Sequence, residues 1–290
     1  MYQDWQCQLT GMTLDGWQIE PDEKGPQGPF IVATHGWLDN ANSLLPLAKR
    51  IRNHSLLAFD WPGHGLSQHL PAAGNYHFVD WADVLLQVLE QLKQPVVLVG
   101  HSMGALVNAM VAAAFPEKVS HLVMIEGAGP LASEPEQAAA MLRKGLLSRK
   151  RSRKQTTTRY DDIHQAVAAR HAVSTDLTPT LVELLIKRNI RASQDGVQWG
   201  YDPRVRAFSA TRMTEPQVRA ILRAIECPVQ IIMAKSGYPE MKTMLASRRD
   251  CFRQLQVAEL PGGHHVHMTQ PKKVASLIEQ FVADTIQTSD

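Results

Sequence analysis

Short apolar runs alternate with amphipathic stretches over most of this chain. The runs 29–34, 55–60, 95–99, 119–125 and 228–234 are nearly continuous in aliphatic and aromatic residues, the pattern of strands buried on both faces, and 255–260 reads as a further strand. Between them, Trp81, Val84, Leu85, Val88, Leu89 and Leu92 recur at i, i+3 and i+4, which predicts a core-facing helix. The stretch 105–114 is rich in alanine and aliphatic residues and predicts a second helix, ended at Phe115-Pro116. Helices are also expected over 44–51 and at the C-terminal end, where Val274, Leu277, Ile278, Phe281 and Val282 form an inner face. Residues 5–20 predict a hairpin turning near Asp15-Gly16. Strands alternating with helices imply an α/β fold, a mostly parallel sheet covered on both faces.

The alternation stops between 131 and 226. That segment reads as polar and helical, with breaks at 174–179 and 195–203. The expected organisation is therefore a core of 1–130 and 227–290 interrupted once by a helical lid at 131–226.

Composition adds boundaries rather than a function. The 290 residues suffice for a sizeable core, 20% of them are charged, and the net charge is +2, a balance that argues neither for nor against nucleic acid; no nucleic-acid partner is expected. Cys7, Cys227 and Cys251 lack metal-site or disulfide spacing and read as free thiols. No signal peptide is visible at the start, and no apolar run approaches the ~18–20 residues of a membrane span. A cytoplasmic protein is the expectation. One local charge cluster stands out, Arg149-Lys150-Arg151-Ser152-Arg153-Lys154. It is read as a solvated helix face, or as an attractor of acidic substrates or a polyanionic partner.

Chemistry enters at Gly100-His101-Ser102-Met103-Gly104, set between the apolar run 95–99 and the helix that follows. Gly-x-Ser-x-Gly in a strand–turn–helix context is a nucleophile elbow: the serine sits on a strained turn, and flanking side chains would collide with strand and helix. Serine needs a base, and the base needs an orienting acid. Base candidates cluster in Gly262-Gly263-His264-His265-Val266-His267, after the last predicted strand. No carboxylate or cysteine is spaced to turn these histidines into a metal site.

Four motifs now stand in a recognisable order: His35-Gly36-Trp37-Leu38-Asp39-Asn40, Asp60-Trp61-Pro62-Gly63-His64-Gly65-Leu66-Ser67, the Ser102 elbow, and Gly263-His264 with His267. Together they resemble the α/β-hydrolase superfamily, in wording closest to its serine-hydrolase-like branch. The resemblance covers about two-thirds of the chain and leaves out the lid. It implies an α/β-hydrolase fold, His264 as the base, with His267 as the alternative, and an oxyanion hole from the backbone N–H groups of Met103 and Trp37. Trp37 and His101 are then expected beside the substrate. Asp39 is read as a brace of the oxyanion loop, and Asp60 and His64 as turn residues.

The acid departs from the usual pattern. Most of the superfamily carries an aspartate just after the strand corresponding to 228–234, where this chain has Gly237. The known alternative places the acid after the preceding strand of the core, and Glu126 closes the run 119–125. Glu240 is the second candidate, and a dyad without an acid the third. The expected reaction is hydrolysis of a small-molecule carboxylic ester or thioester through Ser102, His264 and Glu126, without metal or organic cofactor. Carbon–carbon or lactone hydrolysis by the same triad, and a ligand-binding protein with little turnover, are the alternatives. Trp61, Met103 and Met213 are candidates, with Trp37, for an apolar acyl pocket.

Overall fold

Why the apolar runs become strands is visible in where they sit. The computed structural model describes residues 2–21 and 28–287 and places β3 (Ile31–Thr34), β4 (Leu56–Phe59), β5 (Val96–His101), β6 (Val119–Ile125) and β10 (Val229–Ala234) inside one sheet. Every residue of β3, β4, β5 and β10 is buried. Continuous apolar sequence is what a strand covered on both faces requires.

The eight strands run in the order β1-β2-β4-β3-β5-β6-β10-β11, with β1 (Gln3–Leu9), β2 (Met12–Ile19) and β11 (Leu255–Leu260) completing the set. Strands from β4 to β11 pair in parallel, whereas β1 and β2 are antiparallel. The hairpin turns at Thr10-Gly11, not at Asp15-Gly16. Gly11 takes the left-handed φ of 79° that the tight turn needs. Gly16 lies mid-strand for a different reason: a β-carbon there would stand 2.9 Å from Phe59 Cα.

One face is covered by α2 (Phe78–Glu90) and α3 (Met103–Ala114), and the other by α1 (Leu45–Ala48) with the C-terminal α10 (Pro271–Gln287). Two buried clusters follow, one containing Trp81, Leu85 and Leu89, the other Val274, Ile278 and Phe281. The periodicities of both helices thus point inward as their sequences predict.

Between β6 and β10 the chain builds α4 (Ala138–Ser152), β7 (Arg159–Tyr160), α5 (Ile163–Val173), α6 (Pro179–Arg188), β8 (Ile190–Ser193), β9 (Gly196–Trp199) and α7 (Glu215–Arg223). This insertion is not wholly helical, because β7, β9 and β8 form a small antiparallel sheet. Two four-residue strands around the turn at Gln194-Asp195 are too short to announce themselves by alternation. Its last helix, α7, sends Val218 and Leu222 into the same core cluster as α2 and α3. The insertion is fastened to the core by polar contacts as well. Arg188 Nε donates to Asp60 at 2.8 Å, both groups being buried, and Asn40 Nδ2 donates to the carbonyl of Leu185 at 2.8 Å.

Two short-range elements complete the core, α8 (Pro239–Arg248) after β10 and the single turn α9 (Val266–Thr269) after β11. Among the described residues no helix is long and apolar enough to cross a membrane.

Candidate active site

Ser102 sits at the carboxyl end of β5, at the first turn of α3, with φ 51° and ψ −118°. A non-glycine residue there is strained, and the geometry is held from two sides. The Ser102 amide donates to the carbonyl of Ile125 on β6 at 2.9 Å. The two glycines are sterically required: a β-carbon on Gly104 would stand 2.5 Å from the Thr34 carbonyl oxygen, and one on Gly100 2.5 Å from Ala105 Cα. The twelve-residue α3 points its N-terminus at the serine, which favours negative charge developing there.

Glu126 is fully buried at the end of β6, also with a left-handed φ, 53°. Its Oε1 accepts from the Ala234 amide at 2.6 Å, and its Oε2 faces His264 Nδ1 at 3.2 Å. A carboxylate beside Nδ1 fixes the proton on that nitrogen and leaves Nε2 as the acceptor. Gly237 leaves the space: a β-carbon there would lie 2.7 Å from the Glu126 carboxyl carbon and overlap Oε2. Glu240, in the first turn of α8, is exposed.

Ser102 and His264 line one cavity of about 390 Å³ together with Gly36, Trp37 and Tyr238. The Tyr238 ring lies 4.3 Å from that of His264, centroid to centroid. The loop after β3 approaches closely, since a β-carbon on Gly36 would stand 3.3 Å from Ser102 Cβ. Trp37 is half exposed and its indole donates to the Val205 carbonyl at 3.0 Å, joining this loop to the insertion. Met103 is buried in the first turn of α3.

His101 is also part of the wall, yet 1% exposed. Its Nε2 donates to the carbonyl of His264 at 3.0 Å, so its direct contact is with the loop that carries His264. His267 is fully buried against His101, ring centroids 4.0 Å apart, and burial pushes its pKa down to about 3. Asp60 accepts from the amides of Ala41 and Leu66 besides Arg188, the arrangement of a turn brace. Trp61 is fully buried in the core, and Met213 lines a different cavity.

Two residues singled out by no motif, Asp176 and Arg170, join the site. Asp176 accepts from the His265 amide at 2.8 Å and faces its Nδ1 at 3.0 Å. The other ring nitrogen stands 3.5 Å from Asp39 Oδ2, while Arg170 donates to Asp39 Oδ1 at 2.9 Å. Burial alone would lower the His265 pKa, but Asp39 and Asp176 outweigh it and raise the imidazole to about 9. Burial would likewise raise Asp39, and His265 with Arg170 hold it well below the usual range instead. Sequence signal for this latch was slight: a second histidine beside the base, and an aspartate inside a break of the insertion. Among the described residues no three His, Cys, Asp or Glu side chains group as a metal ion would need.

A strained serine at a strand–helix elbow, and a histidine held by a buried carboxylate across the neighbouring strands, describe one known architecture. The family described as "Alpha/beta hydrolase family" matches residues 31–277. This chain belongs to the α/β hydrolase family. A probable serine hydrolase of Drosophila melanogaster is 31% identical over 275 residues, covering 88% of this chain and 81% of that protein. A hypothetical protein of Pseudomonas aeruginosa PAO1, known from its crystal structure, is 31% identical with a TM-score of 0.88, covering 97% of this chain and 99% of that one. A pimeloyl-[acyl-carrier protein] methyl ester esterase of Shewanella sp. (strain MR-7) is 31% identical over 121 residues, 42% of this chain and 43% of that protein. As an α/β hydrolase the chain is a serine hydrolase-like protein, with the fold its sequence motifs resemble.

Proposed function

We propose that this α/β hydrolase cleaves a carboxylic ester or thioester by way of an acyl-enzyme on Ser102. His264 Nε2 takes the serine proton as Oγ attacks the carbonyl carbon. The resulting oxyanion accepts from the backbone N–H groups of Met103 and Trp37. The tetrahedral species collapses, and the imidazolium returns its proton to the departing alcohol or thiol. Water then attacks the acyl-serine with the same base, releasing the acid and restoring Ser102. Glu126 keeps Nδ1 protonated and offsets the positive charge that His264 acquires. The observation that carries this reading is the buried Glu126, bonded through one oxygen to Ala234 and facing His264 with the other.

The cavity wall supports a small, polar acyl group rather than a long aliphatic chain. Arg170, Ser174, Thr175, Asp176 and Ser236 all contribute to it. Arg170, Ser174, Thr175 and Asp176 come from the insertion, which acts here as the lid of the site. The ester named in the Shewanella relative supports ester chemistry within the family. The experiment is fluorophosphonate labelling together with turnover of p-nitrophenyl esters of increasing length. Labelling and turnover should both vanish in Ser102→Ala, with acetate and butyrate preferred over decanoate. Native protein that neither labels nor turns over would instead make this chain a binding protein on the same fold.

A further inference from the structure

A second cavity of about 400 Å³ lies between the N-terminal end of α2, the middle of α3, and α4 of the insertion. It shares no lining residue with the cavity that holds Ser102. Its walls are mostly apolar: Phe78, Val79, Met110, Leu131 and Met213. Two guanidinium groups stand against them, Arg149 and Arg212. Arg149 Nη2 lies 3.1 Å from His77 Nδ1, an acceptor that carries no negative charge. Arg212 lies over the Phe208 ring, 5.3 Å from its centroid, and partial burial lowers its pKa.

The charges around this cavity are unanswered. Residues 138–160 contain no Asp or Glu, while Arg143, Lys144 and the run 149–154 are all cationic or serine. Ion pairs occur throughout the rest of the described structure, yet none joins a carboxylate to Arg149, Arg212 or any cation of 143–154. Guanidinium groups beside apolar walls suit a ligand that brings both an anion and a hydrocarbon. Arginine in particular matches the planar fork of a carboxylate. The volume falls within the range of small-molecule pockets.

We propose that this cavity is a binding site for a single-chain amphiphilic anion, an alkyl chain ending in a carboxylate, separate from the site of Ser102. The chain lies along Met110, Leu131 and Met213, and the carboxylate meets Arg149 and Arg212. The site stands independently of the hydrolytic mechanism, because none of its residues belongs to that machinery.

The test is calorimetric titration of decanoate, below its micellar concentration, into the full-length protein. One saturable site per chain is expected, with decanol at least tenfold weaker. Arg149→Gln/Arg212→Gln should weaken decanoate at least tenfold while leaving ester turnover unchanged. Val79→Trp, at a half-exposed position of the wall, should block the cavity and gives a second reading if the arginine variant folds poorly. Three results would overturn the proposal: no saturable binding, equal binding of decanol and decanoate, or binding that neither variant affects, which would place the ligand at Ser102. Binding to phosphatidylglycerol vesicles without binding of monomeric decanoate would overturn it too, making the patch a lipid-facing surface.

Discussion

Gly237 faces Glu126 so closely that a β-carbon on the glycine would stand 2.7 Å from the glutamate's carboxyl carbon. Where the family resemblance leads one to expect an aspartate, the Glu126 carboxylate occupies the space instead. Under the proposed mechanism, acid on β6 and glycine after β10 are two halves of one arrangement. Gly237→Ala should therefore displace Glu126 from His264, lowering kcat by roughly 10²-fold or more and stability by about 1–3 kcal/mol. Steady-state kinetics with thermal unfolding measures both, and unchanged kcat would place the acid elsewhere.

Glu126→Gln preserves the shape of the side chain and an acceptor for the Ala234 amide, but removes the charge opposite His264. A loss of about 10⁴ in kcat is expected, by analogy with replacing the acid of a serine triad by its amide. Circular dichroism should show the fold intact. Glu240→Gln, at an exposed position, should leave kcat unchanged.

The latch through His265 gives a pH dependence with a definite sign. Its imidazole is raised to about 9 in the folded protein, from an unfolded value near 6.5. The stabilisation is present in full below about pH 6.5 and disappears as pH climbs through about 9. Its carboxylate partners are held low, so their share is kept until pH falls below about 4. Asp176→Asn should cost ~1–3 kcal/mol near pH 6, and the gap from the native protein should close by pH 10 in thermal unfolding.

Other buried histidines work in the opposite sense. Burial pushes His35 down to about 3, His64 to about 4 and His267 to about 3. They stay neutral in the fold but take up protons on unfolding below about pH 6.5, so stability falls with pH. At pH 5 this amounts to about 2 kcal/mol for each histidine. The midpoint of urea unfolding should drop steeply between pH 7 and 5, and His267→Gln should flatten that slope.

Arg188 and Asp60 form a buried ion pair in which burial raises the Asp60 pKa despite the guanidinium beside it. Arg188→Met would strand the carboxylate, a change worth about 3–5 kcal/mol. Asp60 also holds the amides of Ala41 and Leu66, so the loop beside Trp37 should loosen with it. Chemical denaturation of the variant reads the loss directly.

Much of this was legible in the residues themselves. The run 119–125 is a strand over its full length, because a mostly apolar run has one comfortable place inside a parallel sheet, and 255–260 pairs as the partly exposed edge strand beside β10. The elbow glycines announced their collisions with neighbouring backbone. Glu126 was a candidate because a carboxylate closing an apolar strand requires a partner, and its Oε2 faces His264. The latch was hidden for the converse reason: Asp176 lies 89 residues from His265 in a stretch without periodicity, and nothing local encodes their meeting. The hairpin turn misled because Asp-Gly is a strong turn signal, while Gly16 answers to crowding against β4 instead.

Ser102 and Glu126, closing β5 and β6, belong to neighbouring strands tied by the Ser102–Ile125 hydrogen bond. Under the proposed mechanism the connection from β10 to α8 is released from proton chemistry, although Ser236 and Tyr238 still line the cavity. Mutation can reshape that wall, and with it the choice of substrate, while the reacting groups stay fixed. Chains of this lineage should therefore diversify in specificity fastest at Ser236 and Tyr238, with Gly237 between them held constant.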